Sequence, residues 1–265
     1  YGRKPREKYT FAEYAAEWLP TYKSNVAINT YNKCAMYLTR ISRQLPQVPL
    51  AEITSSDIKK MYNNYNHLMD STRKKVESIT RAVFRTARIV IDPCENVHRD
   101  KGENGTHRNL EAWEIRLIEE TYQEESMGLL AMAMLYSGMR KGEALAIDID
   151  RDIDFENGYI HIRKAIRNEA GKSVLSKTKT KAGVRDVPLF PPLRKALEGK
   201  HGALMKTRTG TYIREETENL RWHAYVEHLS KKAGRTVKIR QHDLRHTFAT
   251  MLYDADVDIK TAVKW

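Results

Sequence analysis

The first part of the chain reads as helical. Val76, Ile79, Val83, Ala87 and Val90 recur at steps of three and four, the spacing of an apolar stripe along one helix face. Arg81, Arg85 and Arg88 fall on roughly the opposite face. Asp92-Pro93 is expected to stop this helix, because proline lacks an N–H and restricts the residue before it. Earlier, Thr10-Phe-Ala-Glu13 has the hydroxyl-then-acid spacing of a capping box, and an apolar run to Trp18 and Leu19 follows it. Thr54-Ser-Ser-Asp57 predicts another helix start of that kind, and Asn29 or Thr30 one between the two.

A polar stretch, Arg99-Asp-Lys-Gly-Glu-Asn-Gly-Thr106, has two glycines, alternating charges and no large apolar residue. It predicts a domain boundary, with residues 1–103 on one side and 104–265 on the other. Beyond it the pattern is mixed. Leu110 to Glu125 reads as a helix, and Met127 to Tyr136 as a helix apolar all round that stops at Ser137-Gly138. Asn157-Gly158 is a hairpin signal, and Tyr159-Ile-His-Ile-Arg163 alternates as a strand. A further hairpin is expected around Lys181-Ala-Gly183, with Val184 to Leu189 as its return strand, and helices resume from Pro192. The fold class is therefore mostly α, with a small antiparallel β-sheet in the second domain.

Charge narrows the partner. The 265 residues hold 46 Lys and Arg against 34 Asp and Glu, a net charge of +12, and 41% of them are hydrophobic. That apolar share supports a packed core, and the cationic surplus favours a polyanion. Lys and Arg outnumber Asp and Glu by 18 to 11 up to Glu103 and by 28 to 23 after it, so both parts suit the same polyanion. Charge alone leaves open DNA, RNA, an anionic membrane and a basic protein with no nucleic-acid role. No segment approaches the ~20 apolar residues of a spanning helix, and the opening Tyr1-Gly-Arg-Lys-Pro-Arg-Glu-Lys8 lacks the apolar core of a signal peptide. The chain does not begin with Met, so a start inside a longer protein or behind a tag is expected. Cys34 and Cys94 sit in no metal or redox spacing, which fits a reducing cytosol.

Three stretches carry chemistry. In Ser137-Gly-Met-Arg140-Lys-Gly-Glu143 an arginine follows a helix stop, and a glutamate one turn on is placed to orient its guanidinium. Taken alone, this is equally a surface arginine with an acidic neighbour. Lys177, Lys179 and Lys181 alternate near a predicted hairpin tip. They form either a solvated charged loop or a cationic finger able to protonate a leaving alkoxide. In His242-Asp-Leu-Arg245-His246 the histidine and arginine share a helix face. An arginine fork matches two phosphate oxygens. His242 and His246 also have the spacing of a zinc helix, but the glutamate of that motif is missing and Arg245 would sit beside the metal.

G-x-R-x-x-E at Gly138–Glu143, a K-T-K hairpin ending in V-P-L at Leu189, and H-D-L-R-H-T-F-A-T from His242, in that order, resemble the catalytic domain of tyrosine recombinases, the phage integrase family. The F-A-E-Y-A-A-E-W-L opening, the I-T-S-S-D-I-K-K run and the T-R-A-V-F-R-T-A helix resemble that family's helical core-binding domain. The flavour is that of integrases of phages and conjugative transposons.

The resemblance implies catalytic roles for Arg140, Lys179, His242 and Arg245, with Lys177 and Lys181 competing for the lysine role and Glu143 and His246 in support. It implies attack by a tyrosine on a DNA phosphodiester and a covalent 3′-phosphotyrosine, with no metal or cofactor. In this family a G-H pair and then the tyrosine lie past the H-x-x-R helix, so both are expected beyond Trp265, and the chain as given is expected not to cleave. Tyr253 follows the box too closely and reads as core or surface. The implied partner is double-stranded DNA held in a clamp, with four protomers per strand exchange, no small-molecule substrate, no membrane and a bacterial cytoplasmic setting. Lys33, Arg73, Lys74, Arg81 and Arg85 are the expected DNA-facing cations of the first domain, with Lys177 and Lys181 in the second. Three alternatives share parts of this pattern: a type IB topoisomerase, a non-cleaving sequence-specific DNA-binding protein on the same scaffold, and a general architectural basic protein.

Overall fold

The computed structural model describes residues 5–23, 26–103, 105, 108–169, 171–177, 183–205, 207 and 212–264. The chain divides into two compact units, Tyr1–Thr106 and His107–Trp265.

Unit 1 is built on helices α1 (Phe11–Lys23), α2 (Ile28–Ser42), α3 (Ser55–Asn63) and α4 (Asp70–Ala87). Both capping boxes form. The Glu13 carboxylate accepts the Thr10 backbone N–H at 2.8 Å while the Thr10 hydroxyl accepts that of Glu13 at 3.3 Å. Thr54 and Asp57 do the same at 3.0 and 3.2 Å. These bonds satisfy N–H groups that a helix start leaves unpaired. Helix α2 opens differently: Ala27 is its cap, no side chain caps it, and Asn29 and Thr30 lie inside its first turn. The core gathers Phe11 and Trp18 of α1, Leu38 and Ile41 of α2, Ile58 and Met61 of α3, and Val76, Val83 and Phe84 of α4.

The stripe on α4 is shorter than expected. The helix closes at Arg88, which takes a left-handed conformation (φ 54°) and donates its N–H to the Phe84 carbonyl. Val90 is therefore outside the helix and 94% exposed, and Asp92-Pro93 lies past a stop already made.

Unit 2 surrounds α6 (Gly128–Ser137), whose residues from Leu130 to Ser137 are all buried. Around it pack α5 (Ala112–Thr121), α9 (Pro191–Leu197) and α11 (Gln241–Asp254). Gly138 ends α6 with φ 60°, and a Cβ there would meet the Phe248 ring of α11 at 2.4 Å. A glycine is thus required both for the turn and for the seating of α11.

The strands form two small antiparallel sheets. β1 (Ile153–Asp154) and β2 (Tyr159–Ile162) flank the predicted Asn157-Gly158 turn, where Gly158 has φ 74°. β5 (Arg185–Pro188) pairs with β2, in the register Ile160 to Val187 and Ile162 to Arg185. β3 (Lys164–Glu169) and β4 (Lys172–Lys177) form a separate hairpin turning at Gly171. The expectation that Val184–Leu189 returns against the strand before Lys181 is therefore corrected: its partner is β2, where Val187 is buried opposite the buried Ile160. Short helices α7 (Lys141–Ala144) and α8 (Ile149–Asp152) precede the sheets, and α10 (Glu215–Ala233) and α12 (Ile259–Lys264) complete the unit.

Gly138→Ala is expected to lower stability by about 1–2 kcal/mol from the left-handed backbone alone, and by more through the Phe248 clash. The midpoint of urea unfolding measures this, and a variant as stable as the parent would contradict the seating of α11 on α6.

Candidate active site

The turn after α6 places Arg140 as the cap of α7 and Glu143 one turn in. Oε2 of Glu143 accepts the Arg140 backbone N–H at 2.9 Å, and Oε1 accepts Arg140 Nη1 at 2.8 Å. A second guanidinium reaches the same carboxylate from β5: Arg185 Nη2 lies 2.9 Å from Glu143 Oε2. Glu143 and Arg185 are buried, whereas the Arg140 side chain is 57% exposed. Burial alone would push the Glu143 carboxyl up, but the bonds from Arg185 and Arg140 outweigh it and hold it below the ordinary carboxylate range. The carboxylate is thus fixed in its charged form, with Arg140 reaching outward from it.

Helix α11 brings the second group. Asp243 accepts the Arg240 backbone N–H at 2.9 Å and pairs with the Arg240 guanidinium at 3.1 and 2.9 Å, which ties down the helix start. Asp243, Leu244, Thr247 and Phe248 are buried, so His242, Arg245 and His246 occupy the more open side. The His242 and His246 rings stand edge to face with centroids 4.6 Å apart. Arg245 Nη1 donates to the carbonyl of Gly138, two residues before Arg140. Burial, then the neighbouring charges of Arg140 and Arg185, push the Arg245 pKa below its usual value. Three guanidiniums therefore share one neighbourhood with a single carboxylate.

Two further anchors fix α11. Buried Glu218 of α10 accepts Lys141 Nζ of α7 at 2.8 Å and also the side-chain amide of Gln241 at the start of α11. The Thr247 hydroxyl accepts the Leu110 N–H and donates to the Asp243 carbonyl, both at 2.8 Å. Just before Leu110, Arg108 binds the Glu114 carboxylate with both Nη atoms at 2.6 and 2.7 Å.

Of the expected site residues, the structure brings together Arg140, Glu143 and Arg245, with His242 and His246 on the same helix as Arg245. Lys179 and Lys181 lie outside the described residues, as does the side chain of Lys177, whose backbone ends β4. Arg185 was not singled out from the sequence. Its signal was the strand alternation that puts it on the same inward face as Val187.

The cations expected on unit 1 separate into two groups. Lys33, Lys74 and Arg85 are exposed. Arg73 is folded inward: Nε donates to the Leu68 carbonyl at 2.7 Å and Nη1 to Asn66 Oδ1 at 3.3 Å. Arg81 pairs with Glu77 at 3.2 Å and donates to the Val97 carbonyl at 2.5 Å. Arg73 thus ties the segment before α4 to the helix, and Arg81 the segment after it.

A profile of the phage integrase family matches residues 109–265, and one of the phage integrase N-terminal SAM-like domain matches residues 10–66. The chain belongs to the phage integrase family. It is 28% identical over 155 residues to the tyrosine recombinase XerA of Pyrococcus furiosus, covering 55% of this chain and 47% of that protein. To the tyrosine recombinase XerC of Chlamydia trachomatis it is 29% identical over 125 residues, covering 47% and 37%. The chain thus spans less than half the length of these curated relatives. Among solved structures, the Tn1549 transposon integrase in complex with a circular intermediate DNA superposes with a TM-score of 0.81 at 19% identity, over 96% of this chain and 90% of that one. A lambda integrase tetramer bound to a Holliday junction gives 0.68 at 19%, over 96% and 76%. The fold is therefore that of the integrases. No helix among the described residues is long and apolar enough to cross a membrane.

Two outcomes follow for this family member. The Glu143 and Asp243 carboxyls both ionise more readily folded than unfolded. Their stabilisation is complete above the ordinary carboxylate pKa near 4 and is lost as pH falls through the depressed folded values. Unfolding free energy is expected to drop between about pH 5 and pH 1, less steeply in Glu143→Gln. Arg73→Ala is expected to lower the melting temperature, whereas Lys74→Ala leaves it unchanged; equal melting temperatures would show that the inward Arg73 bonds carry no stability.

Proposed function

We propose that this chain is the DNA-binding and strand-cleaving part of a site-specific recombinase, one that integrates or excises a mobile element through a 3′-phosphotyrosine intermediate. The observation that carries this reading is the convergence of the Arg140 and Arg245 guanidiniums at the Gly138 turn, with a buried carboxylate behind them. Such a pair suits one chemistry in particular. When a tyrosine oxygen attacks a phosphodiester, a new P–O bond forms, the bond to the 5′ oxygen breaks, and negative charge grows on the non-bridging oxygens. Preorganised guanidiniums stabilise that charge most where it is greatest. His242 adds a donor on the same side, and Lys179 delivers the proton that the leaving 5′ oxygen needs. The phosphotyrosyl bond conserves the energy of the cleaved one, so a 5′-hydroxyl from the partner strand reverses the step without ATP.

The tyrosine is supplied by sequence following Trp265. Tyr253 is 75% exposed and stands eight residues past Arg245 on the same helix, about 12 Å along its axis. The substrate is double-stranded DNA in the bacterial cytoplasm, and four protomers assemble for a full exchange. The solved structures of the Tn1549 and lambda integrases on DNA support this partner, and the lambda tetramer on a Holliday junction supports that assembly. Lys33, Lys74 and Arg85 contact phosphates, which position the protein without reading sequence.

The natural full-length protein, mixed with a nicked duplex carrying an end of the element, is expected to form a detergent-resistant protein–DNA adduct. In Arg140→Ala the adduct rate should fall ~10²–10³-fold, and peptide mapping should place the attachment beyond Trp265. An adduct at Tyr253 would overturn the assignment of the nucleophile. Tight binding with no adduct at any end would favour a non-cleaving DNA-binding protein. Lys74→Ala is expected to reduce the slope of log affinity against log salt by about 0.9, the value of one lost phosphate contact on duplex DNA.

A further inference from the structure

We propose that Arg185 is a positioning residue for strand cleavage: by occupying Oε2 of Glu143 it keeps Arg140 in a one-point pair with that carboxylate and leaves the rest of the Arg140 fork turned outward to the scissile phosphate. The inference rests on the proposed recombinase activity. Three observations support it. Arg185 is buried on β5, a strand anchored by its pairing with β2, so its guanidinium approaches Glu143 from a fixed frame. Glu143 divides its oxygens, Oε1 going to Arg140 Nη1 and Oε2 to the Arg140 backbone N–H and Arg185 Nη2. Arg140 is more than half exposed, and Nη1 is the atom of its guanidinium that bonds another described residue.

Arginine presents five donors in a planar fork and closes readily on both oxygens of a carboxylate. A buried glutamate left with one guanidinium has a strong reason to take it bidentately, since an under-neutralised buried charge is costly. Arg185 removes that reason. Without it, Arg140 turns back onto Glu143 and loses the orientation that matches phosphate oxygens. Arg185 touches no reacting atom in this scheme and acts through Glu143.

The test uses the full-length protein in four forms: parent, Arg185→Gln, Arg185→Lys and the double variant Glu143→Gln/Arg185→Gln. At saturating nicked duplex, Arg185→Gln is expected to form adduct about 10²-fold more slowly, the scale of a small misplacement of a catalytic group, with its DNA dissociation constant unchanged. Arg185→Lys, which keeps a charged donor, should recover much of the rate. The double variant should be faster than Arg185→Gln alone, because a neutral amide no longer draws Arg140 inward. An adduct rate equal to the parent's in Arg185→Gln, or a double variant no faster than the single one, overturns the proposal. So does a loss that merely follows a fallen melting temperature. A second readout is independent of activity: the Arg140 guanidinium Nη–H signal in nitrogen-15 spectra, assigned by its loss in Arg140→Lys. In Arg185→Gln it should become more protected from solvent exchange as the bidentate pair closes, and an unchanged signal overturns the proposal. If the parent itself forms no adduct, the recombinase reading fails, while this signal still decides whether Arg185 sets the Arg140 geometry.

Discussion

One buried carboxylate organises the second unit. Glu143 has little access to water, and a charge in that position persists only with donors on both oxygens. It takes them from three places: the backbone at the start of α7, the Arg140 side chain, and Arg185 arriving on β5. Those bonds join the turn after α6 to the sheet. Because the carboxylate is held below its ordinary pKa, the site keeps its charge arrangement at neutral pH, and no proton has to leave before an anion is bound.

The wider packing serves the same end. Helix α6 is buried on every side, so the turn that follows it has few ways to move. Gly138 then does two things at once: its left-handed backbone ends α6, and its missing side chain lets Phe248 of α11 close in. The Gly138 carbonyl in turn accepts Arg245. The two arginines that lie far apart in sequence are thus fixed against a single stretch of backbone. Glu218, bonded to both Lys141 and Gln241, repeats that link from the side of α10.

Local chemistry was legible in the sequence. The boxes at Thr10 and Thr54, the all-apolar α6 with its glycine stop, and the Asn157-Gly158 turn each depend on residues within a few positions of one another. Arg140, Glu143 and Arg245, singled out through the family resemblance, do come together, which supports the proposed site. What was not legible is tertiary. The early end of α4 rests on Arg88 taking a left-handed conformation, for which an arginine gives no signal. The pairing of β5 with β2 is a long-range choice that alternation alone does not make. Arg73 and Arg81 read as one charged face with Arg85, yet their guanidiniums fold onto carbonyls of the segments around α4, a contact set by the path of the chain. Arg185 reads as one more charge near a lysine-rich loop, and only its burial against Glu143 distinguishes it.

In the proposed reaction the arginines held around Glu143 act by stabilising negative charge on a scissile phosphate. The most direct measurement replaces the scissile phosphodiester with a methylphosphonate, which is neutral at that position, and compares adduct formation by the parent protein and Arg140→Ala. On that chemistry the large defect of Arg140→Ala on the natural phosphate shrinks to a small one on the neutral analogue, since the charge that the guanidinium serves has been removed. A defect of equal size on both substrates would contradict it and assign Arg140 to holding the fold instead.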